Sequence, residues 1–461
     1  MIDFHEGTLR LRGLTLGQVR ERYPGIPIDF DDRDHCFRCD AMWAHAIKPD
    51  LATNQFIAIP DKRRIQLRSD QLEAVNAFQT GGHRGLVSMP TGTGKTVVAI
   101  ELMLRQQSSV LIVVPVRDLM YQWHQKVSEA TGIDSGLIGD GVHRVSPISI
   151  TTYDSAAIHM PRIGDKFSMV IFDEVHHLSG VWRSDAARMS AATNRLGLTA
   201  TLPTDLGRLF VLQQIVGPVL YQQSMDQAAG NTLAEYTVQR ITVQLSVNEE
   251  KRYRELGRIV QDYVFERREA DPKFRWEDIY KITALAAKDA DQAAAATKAI
   301  QAFRSKRKIE EQADAKMRLL EDLFRLHSGE PVIVFTGSNV MARSISKRFM
   351  VPCLLSHCAK RERREYLEGF AKGDYPVLIA NRVLDEGVDL PEVKTAIVLG
   401  GLSSSRQAIQ RLGRVLRKSE TDREAILYEV VTEGTSEVKR SRDRRRNDSY
   451  RRPKTSRNAA Q

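Results

Sequence analysis

Met89-Pro90-Thr91-Gly92-Thr93-Gly94-Lys95-Thr96 joins an apolar, strand-like run to an amphipathic, helix-like one, and its reading decides the rest of the chain. Glycines 92 and 94 let backbone N–H groups close around phosphate oxygens, Lys95 can reach β- and γ-phosphates, and Thr96 offers a hydroxyl to Mg²⁺. A helix that begins here turns its positive end toward the same anion. The loop from Thr91 to Thr96, with Thr93 inside it, therefore predicts a nucleoside triphosphate site with accompanying Mg²⁺. Met89 stands where the strict phosphate-loop pattern has its first glycine, and a Pro-Thr-Gly-x-Gly-Lys-Thr turn fits better. A Gly-rich turn with no catalytic use is the plainer alternative, and it weakens once partner motifs appear.

Working outward, Gly85–Met89, Val110–Pro115, Pro147–Ile150, Phe167–Phe172 and Arg195–Thr199 read as buried strands separated by polar, helix-like segments. That alternation predicts a parallel α/β sheet, with ligands at the carboxyl ends of its strands. Asp173-Glu174-Val175-His176-His177 follows one such run directly. Asp173 is placed to hold Mg²⁺ and Glu174 to polarise the attacking water. Gly197-Leu198-Thr199-Ala200-Thr201 follows another. Thr199 and Thr201 then either couple hydrolysis to a second lobe or simply end a strand.

Alternation resumes at Pro331–Thr336, Val377–Ala380 and Thr395–Gly400, without a second Gly-Lys-Thr, so a second lobe completes the site made by the first. In Gln410-Arg411-Leu412-Gly413-Arg414-Val415-Leu416-Arg417, helical spacing puts Gln410, Arg414 and Arg417 on one face. Permanently charged, forked guanidiniums suit the charge spread over a γ-phosphoryl group in transit. An Arg-rich solvated face is the plainer reading of that helix taken alone.

Composition sets bounds. At 461 residues the chain exceeds one ordinary core, which predicts about three domains. Four Cys and the absence of a membrane-length apolar run argue for a reducing compartment. A cytoplasmic, nucleoid-associated protein is expected. The net charge is +10, yet Lys439–Gln461 holds ten Lys/Arg against two Asp, so the tail carries most of it. That tail reads as a disordered, solvated segment or as a transient nucleic-acid contact. Cys36 and Cys39 lack a second Cys pair at zinc-ribbon spacing, so no structural zinc is expected.

The order of these motifs resembles a superfamily-two helicase. It runs through Gln71, the phosphate loop, Pro115–Leu119, Thr151–Ser155, Asp-Glu-Val-His, Thr-Ala-Thr, Val334–Thr336, Leu384–Pro391 and Gln-Arg-x-Gly-Arg-x-x-Arg. More narrowly the chain is similar to XPB-type DNA helicases in their compact prokaryotic form. The resemblance implies two RecA-like lobes in tandem and an ATP-dependent, 3′ to 5′ motor on forked or damaged duplex DNA. By the same resemblance Gln71 reads adenine, Gly387 and Asp389 line the nucleotide cleft, and Arg414 and Arg417 act as fingers. Arg117, Thr152 and Thr336 fall where the family touches the sugar-phosphate backbone. The implied organisation is a damage-recognition-like α+β module over 1–60, lobe one over 61–237 and lobe two over 238–437. A helical, thumb-like insertion spans about 250–310, and a basic disordered tail spans 438–461. An associated nuclease subunit is a further implied partner of a monomeric motor. One departure is Pro203-Thr204-Asp205-Leu206, where the prokaryotic family has Arg-Glu-Asp. It leaves two rivals open: a duplex translocase without strand separation, and a non-motor scaffold switched by ATP.

Overall fold

The structure, a computed structural model, describes residues 1–51, 57–63, 66–203, 205–224, 227, 236–284, 289–355, 358–381, 393–400 and 425–445. It divides into two compact units, one built on Met1–Leu233 and the other on the chain from Ala234 onward.

The larger sheet of the first unit contains β5 (Arg84–Ser88), β6 (Val110–Val114), β7 (Gly136–Gly139), β8 (Val142–His143), β9 (Ile148–Thr152), β10 (Met169–Phe172), β11 (Asn194–Thr199) and β12 (Val219–Gln222). Their order across the sheet is β12-β5-β11-β10-β6-β9-β7-β8. Every pairing is parallel except that of the edge strand β8 with β7. The all-apolar run of β6 follows from burial on both faces. Val110, Ile112 and Val114 pack with α3 (Ser69–Thr80), α4 (Lys95–Gln106) and α5 (Arg117–Thr131), while Leu111 and Val113 pack with α6 (Tyr153–Ile163), α7 (Val181–Arg188) and α8 (Leu206–Ile215). At the start of β11, the fully buried Arg195 donates to the carbonyls of Ala187 (2.9 Å), Ile215 (2.8 Å), Ala192 (3.1 Å) and Ser190, tying the ends of α7 and α8 to the sheet. Burial pushes its guanidinium well below the usual value.

Before this sheet, β1 (Ile2–His5), β2 (Thr8–Leu11), β3 (Asp29–Asp31) and β4 (Cys36–Asp40) form an antiparallel sheet in the order β1-β2-β4-β3, with α1 (Leu16–Arg22) and the short α2 (Ala44–Ile47). Leu9, Leu11, Val19 and Phe37 make its core, joined by Ala191 from the larger lobe. Cys36 and Cys39 are buried thiols of β4, and burial pushes the Cys39 thiol up to about 12. Ile57–Pro60 form no strand. Instead, Ile57 N–H donates to the Gln107 carbonyl (2.9 Å), and the Gln107 side-chain amide both accepts from Ile59 N–H (2.8 Å) and donates to its carbonyl (3.0 Å). A single amide group thus does what a neighbouring strand would do.

The second unit is a parallel sheet ordered β13-β18-β17-β14-β16-β15. These strands are β13 (Tyr236–Val243), β14 (Val332–Thr336), β15 (Cys353–Leu354), β16 (Val377–Ala380), β17 (Thr395–Leu399) and β18 (Ala425–Thr432). Ahead of the helices expected near 250–310, the unit opens with β13, which pairs with β18 along its whole length. The partner lies almost two hundred residues away in sequence, so local pattern could not reveal it. Helices follow: α9 (Val247–Ala270), α10 (Ile279–Ala284) and α11 (Ala290–Gln312) pack around Tyr263, Phe274, Ile279, Ala296 and Ile300. Next, α12 (Asp314–Leu326) and α13 (Asn339–Phe349) cover the sheet through Leu320, Leu323, Met341 and Ile345, with α14 (Lys360–Lys372) further along the chain.

The tail expected to be disordered from 438 begins with a helix, α15 (Ser436–Arg445). Its buried face is polar, which hides it from a search for apolar periodicity. Glu437 meets the fully buried Lys316 at 2.7 Å, and Ser441 donates to Glu429 at 2.8 Å. Lys316 also donates to the Glu310 carbonyl (2.6 Å), while the Glu310 carboxylate takes Tyr253 OH (2.7 Å) and Arg440 (2.6 Å). Burial pulls the Lys316 ammonium below its ordinary value against the upward pull of Glu437.

Candidate active site

Strand order assembles what the sequence keeps apart. Five neighbours, β5, β11, β10, β6 and β9, end in turn with the phosphate loop, Thr199, Asp173, Arg117 and Thr152. The phosphate loop and Asp173 therefore stand two strand spacings apart, about 10 Å. Ligand groups of a nucleotide and its metal span such a gap at the carboxyl edge of an open parallel sheet.

The loop has the backbone its glycines permit. Gly92 and Gly94 adopt φ of +87° and +92°, and Gly94 is the N-cap of α4. A Cβ on Gly94 would stand 2.3 Å from Gln71 Nε2, so shape and dihedral both demand glycine there. Lys95 Nζ donates to the Met89 carbonyl at 3.1 Å, folding back over the loop. Thr93 Oγ1 donates to the Pro90 carbonyl at 2.7 Å and pins the turn. Among the described residues Thr91 Oγ1 is buried with no hydrogen-bond partner. Such an orphan is explained by a ligand or water that belongs beside it.

Gln71 is almost wholly buried against this loop. Its Oε1 accepts from Arg68 N–H at 3.2 Å and its Nε2 donates to the Thr93 carbonyl at 3.0 Å. The Arg68 guanidinium reaches the same carbonyl, a contact not apparent in the sequence.

On β10, Asp173 is buried and its carboxylate is held from two sides. Trp123 Nε1 donates to Oδ2 at 2.8 Å, and Glu174 N–H donates to Oδ1 at 3.0 Å. Tyr153 OH donates to the Asp173 main-chain carbonyl at 2.8 Å. Glu174 lies at φ +49°, ψ +55°, a left-handed conformation uncommon for a non-glycine residue and typical of sites where the surroundings over-determine the backbone. His176 Nδ1 stands 3.6 Å from Glu174 Oε2. Trp123 and Tyr153 were not singled out by sequence reasoning. Only the pairing of β10 beside β6 and of β6 beside β9 brings them there.

Thr199 is fully buried; its carbonyl accepts from Met89 N–H (3.0 Å), and its hydroxyl donates to the Thr201 carbonyl (2.8 Å) while accepting from Thr201 N–H (3.3 Å). Thr-Ala-Thr is thus bonded directly to the strand that feeds the phosphate loop. Arg117, exposed at the start of α5, pairs with Asp140, which also accepts from Tyr121 OH at 2.9 Å. Thr152 caps α6, its hydroxyl accepting from Ser155 N–H at 3.3 Å. Thr336, in the second unit, is buried and donates to the Ser338 carbonyl at 3.2 Å. Gly387, Asp389, Gln410, Arg414 and Arg417 lie outside the described residues.

The donor set suits Mg²⁺. Among the described residues no cluster of three His, Cys, Asp or Glu side chains gathers to form an all-protein cage. Thr96 and Asp173 would supply one hydroxyl and one carboxylate, leaving the other positions to water and phosphate, as Mg²⁺ prefers.

Two family models match: the type III restriction enzyme res subunit over residues 64–204 and the helicase conserved C-terminal domain over 315–419. With the parallel sheets above, these define an α/β protein of two RecA-like lobes. Among solved structures the helicase domain of Hef from Pyrococcus furiosus aligns with a TM-score of 0.56 at 15% identity, covering 82% of this chain and all of that one. The chain is 39% identical to the DNA 3′-5′ translocase XPB2 of Sulfurisphaera tokodaii over 83% of its own length and 85% of that protein's. It is 28% identical to the DNA 3′-5′ helicase XPB of Kineococcus radiotolerans and 26% identical to the putative DNA 3′-5′ helicase Rad25 of Halobacterium salinarum. It spans 60% and 59% of the lengths of those two. The chain belongs to the XPB-type family of superfamily-two helicases.

Proposed function

We propose that the chain is an ATP-hydrolysing motor that moves 3′ to 5′ on DNA in repair or transcription-linked processes. The observation that carries this is the strand order, which puts the phosphate loop, Thr199 and Asp173-Glu174 on three adjacent strand ends. Lys95 would neutralise the β- and γ-phosphates, and the glycine-framed amides of Thr91–Thr96 would hold them. When bound, Mg²⁺ would supply positive charge that offsets the phosphates. Thr96 and Asp173 would hold that metal. Glu174 would orient and polarise the attacking water. Gln71, anchored to Thr93, would spend its remaining amide hydrogen and lone pair on adenine. Gly387 and Asp389 would line the nucleotide cleft, and Gln410, Arg414 and Arg417 would complete it. Arg117, Thr152 and Thr336 would meet the sugar-phosphate backbone, a contact that positions without reading sequence.

We read 1–60 as a damage-recognition-like module, the helices within 250–310 as the thumb, and an associated nuclease as a partner of a monomeric motor. No helix among the described residues is long and apolar enough to cross a membrane, which fits a DNA-associated protein.

Glu174→Gln tests the hydrolytic assignment. It should retain binding of a fluorescent ATP analogue while turnover falls by ~10²–10⁴-fold, the usual contribution of a general base. Near-normal turnover would remove the assignment.

Translocation without strand separation is the second reading, and a specific observation favours it. In place of the charged Arg-Glu-Asp, this chain leads into α8, where Leu206 and Phe210 are exposed to 80% and 60%. Triplex displacement beside forked-duplex unwinding separates the two readings: displacement without unwinding identifies the translocase, and both together the helicase.

A further inference from the structure

The two elements that begin at the expected strand contacts of the first unit both end in a hydrogen bond to one residue, Asp173. Helix α5 starts at Arg117 and carries Trp123, buried to 1% exposure, whose indole N–H donates to Asp173 Oδ2 at 2.8 Å. Helix α6 starts at Tyr153, directly after its N-cap Thr152, and the fully buried Tyr153 hydroxyl donates to the Asp173 carbonyl at 2.8 Å. One bond fixes the carboxylate and the other fixes the peptide that leads into the left-handed Glu174.

Geometry makes both links stiff. Met120, Trp123 and Val127 are all buried on one face of α5, so the helix cannot slide at its Arg117 end without moving the indole. Trp123 lies six residues beyond Arg117, about 9 Å along the helix axis. Tyr153 is wedged between Phe172, stacked at 6.4 Å and 16°, and His177 at 5.8 Å. His177 in turn meets Arg183 at 3.0 Å, and Arg183 pairs with Asp154 at 2.8 Å, closing a ring around the Asp-Glu turn. An indole N–H only donates, so Trp123 has one use for its polar atom here. A carboxylate offers about four lone-pair positions, and the two donors leave the others for the metal shell. At the outer end, Arg117 is paired with Asp140, a carboxylate partner that a phosphate could replace.

We propose that Trp123 and Tyr153 are positioning residues that transmit engagement of a nucleic-acid strand at Arg117 and Thr152 to Asp173 and Glu174, so that strand binding sets the geometry for hydrolysis. The proposal rests on the function proposed above. Any coupling of binding affinities carried by these bonds is reciprocal, so to the extent that the strand changes nucleotide affinity, bound nucleotide changes strand affinity by the same factor.

The test uses the full chain, Trp123→Phe and Tyr153→Phe, each of which deletes a donor and keeps an aromatic ring. ATPase rate is measured with and without a forked DNA duplex. The dissociation constant for that duplex is measured by fluorescence anisotropy with and without a non-hydrolysable ATP analogue. In each variant the ratio of stimulated to unstimulated kcat should fall at least 5-fold. The factor by which the analogue changes duplex affinity should collapse toward one. The KM for ATP and the affinity for duplex alone should stay within about 2-fold, a split that mere loss of structure would not give. Wild-type ratios in both variants would overturn the proposal. Should Trp123→Phe fail to fold, Tyr153→Phe decides, because it removes a single oxygen. A wild-type chain that DNA does not stimulate would overturn the motor reading itself, whereas stimulation that survives in the variants overturns only the link.

Discussion

At Gly94 two constraints meet: a left-handed backbone and a gap to Gln71 too narrow for a methyl group. Gly94→Ala should therefore weaken nucleotide binding by ~10-fold or more, since strain of this kind costs roughly 1–3 kcal/mol. Titration with a fluorescent ATP analogue checks this; unchanged affinity would mean the loop tolerates another shape. Lys316 poses the complementary case of a buried charge. Replacing it with Met leaves Glu437 fully buried and unpaired, which costs about 3–5 kcal/mol. The melting transition of the second unit should then fall by roughly 6–20 °C. A shift under 2 °C would show that Thr432 N–H, already bonded to Glu437 at 2.9 Å, suffices alone.

At the scale of elements, helix α15 exemplifies what pattern reading misses. Its inward positions are Glu437 and Ser441, so its packing is ionic and hydrogen-bonded rather than apolar. Ending the chain at Val438 removes Arg440 and Ser441, and with them bonds to Glu310 and Glu429. Each lost hydrogen bond to a charged group contributes about 1.5–3 kcal/mol. Thermal denaturation should report a loss of several degrees, and an unchanged midpoint would mean the helix is dispensable. The motif-bearing strands were legible for the opposite reason: β5, β6, β10 and β11 are short apolar runs, each ending in a chemically marked turn. β13 and β18 were not, because each is specified by the other across a long sequence separation. Gln107 was equally hidden, since nothing local marks an amide that substitutes for a strand.

For the whole molecule, the chemistry of single residues was readable but their adjacency was not. Lys95, Asp173, Glu174 and Thr199 announce themselves by type and by position after apolar runs. That the phosphate loop is separated from Asp173 by β11 alone, with Arg117 and Thr152 on the next two strands, is a fact of sheet order. This order makes one edge of the first unit a continuous row, from phosphate contacts at β5 to expected strand contacts at β9. Trp123 and Tyr153 reach in from two elements to Asp173 at the centre of that row, which is why they escaped a reading by motif and why they are proposed to couple its two ends.

ATP hydrolysis in this chain is proposed to drive movement on DNA. Triplex displacement from duplex DNA by the full chain, with ATP and Mg²⁺ and beside Glu174→Gln, tests it most directly. ATP-dependent displacement by the wild type and none by the variant is the predicted result. Displacement that proceeds equally without ATP, or an ATPase that displaces nothing and ignores DNA, would contradict it.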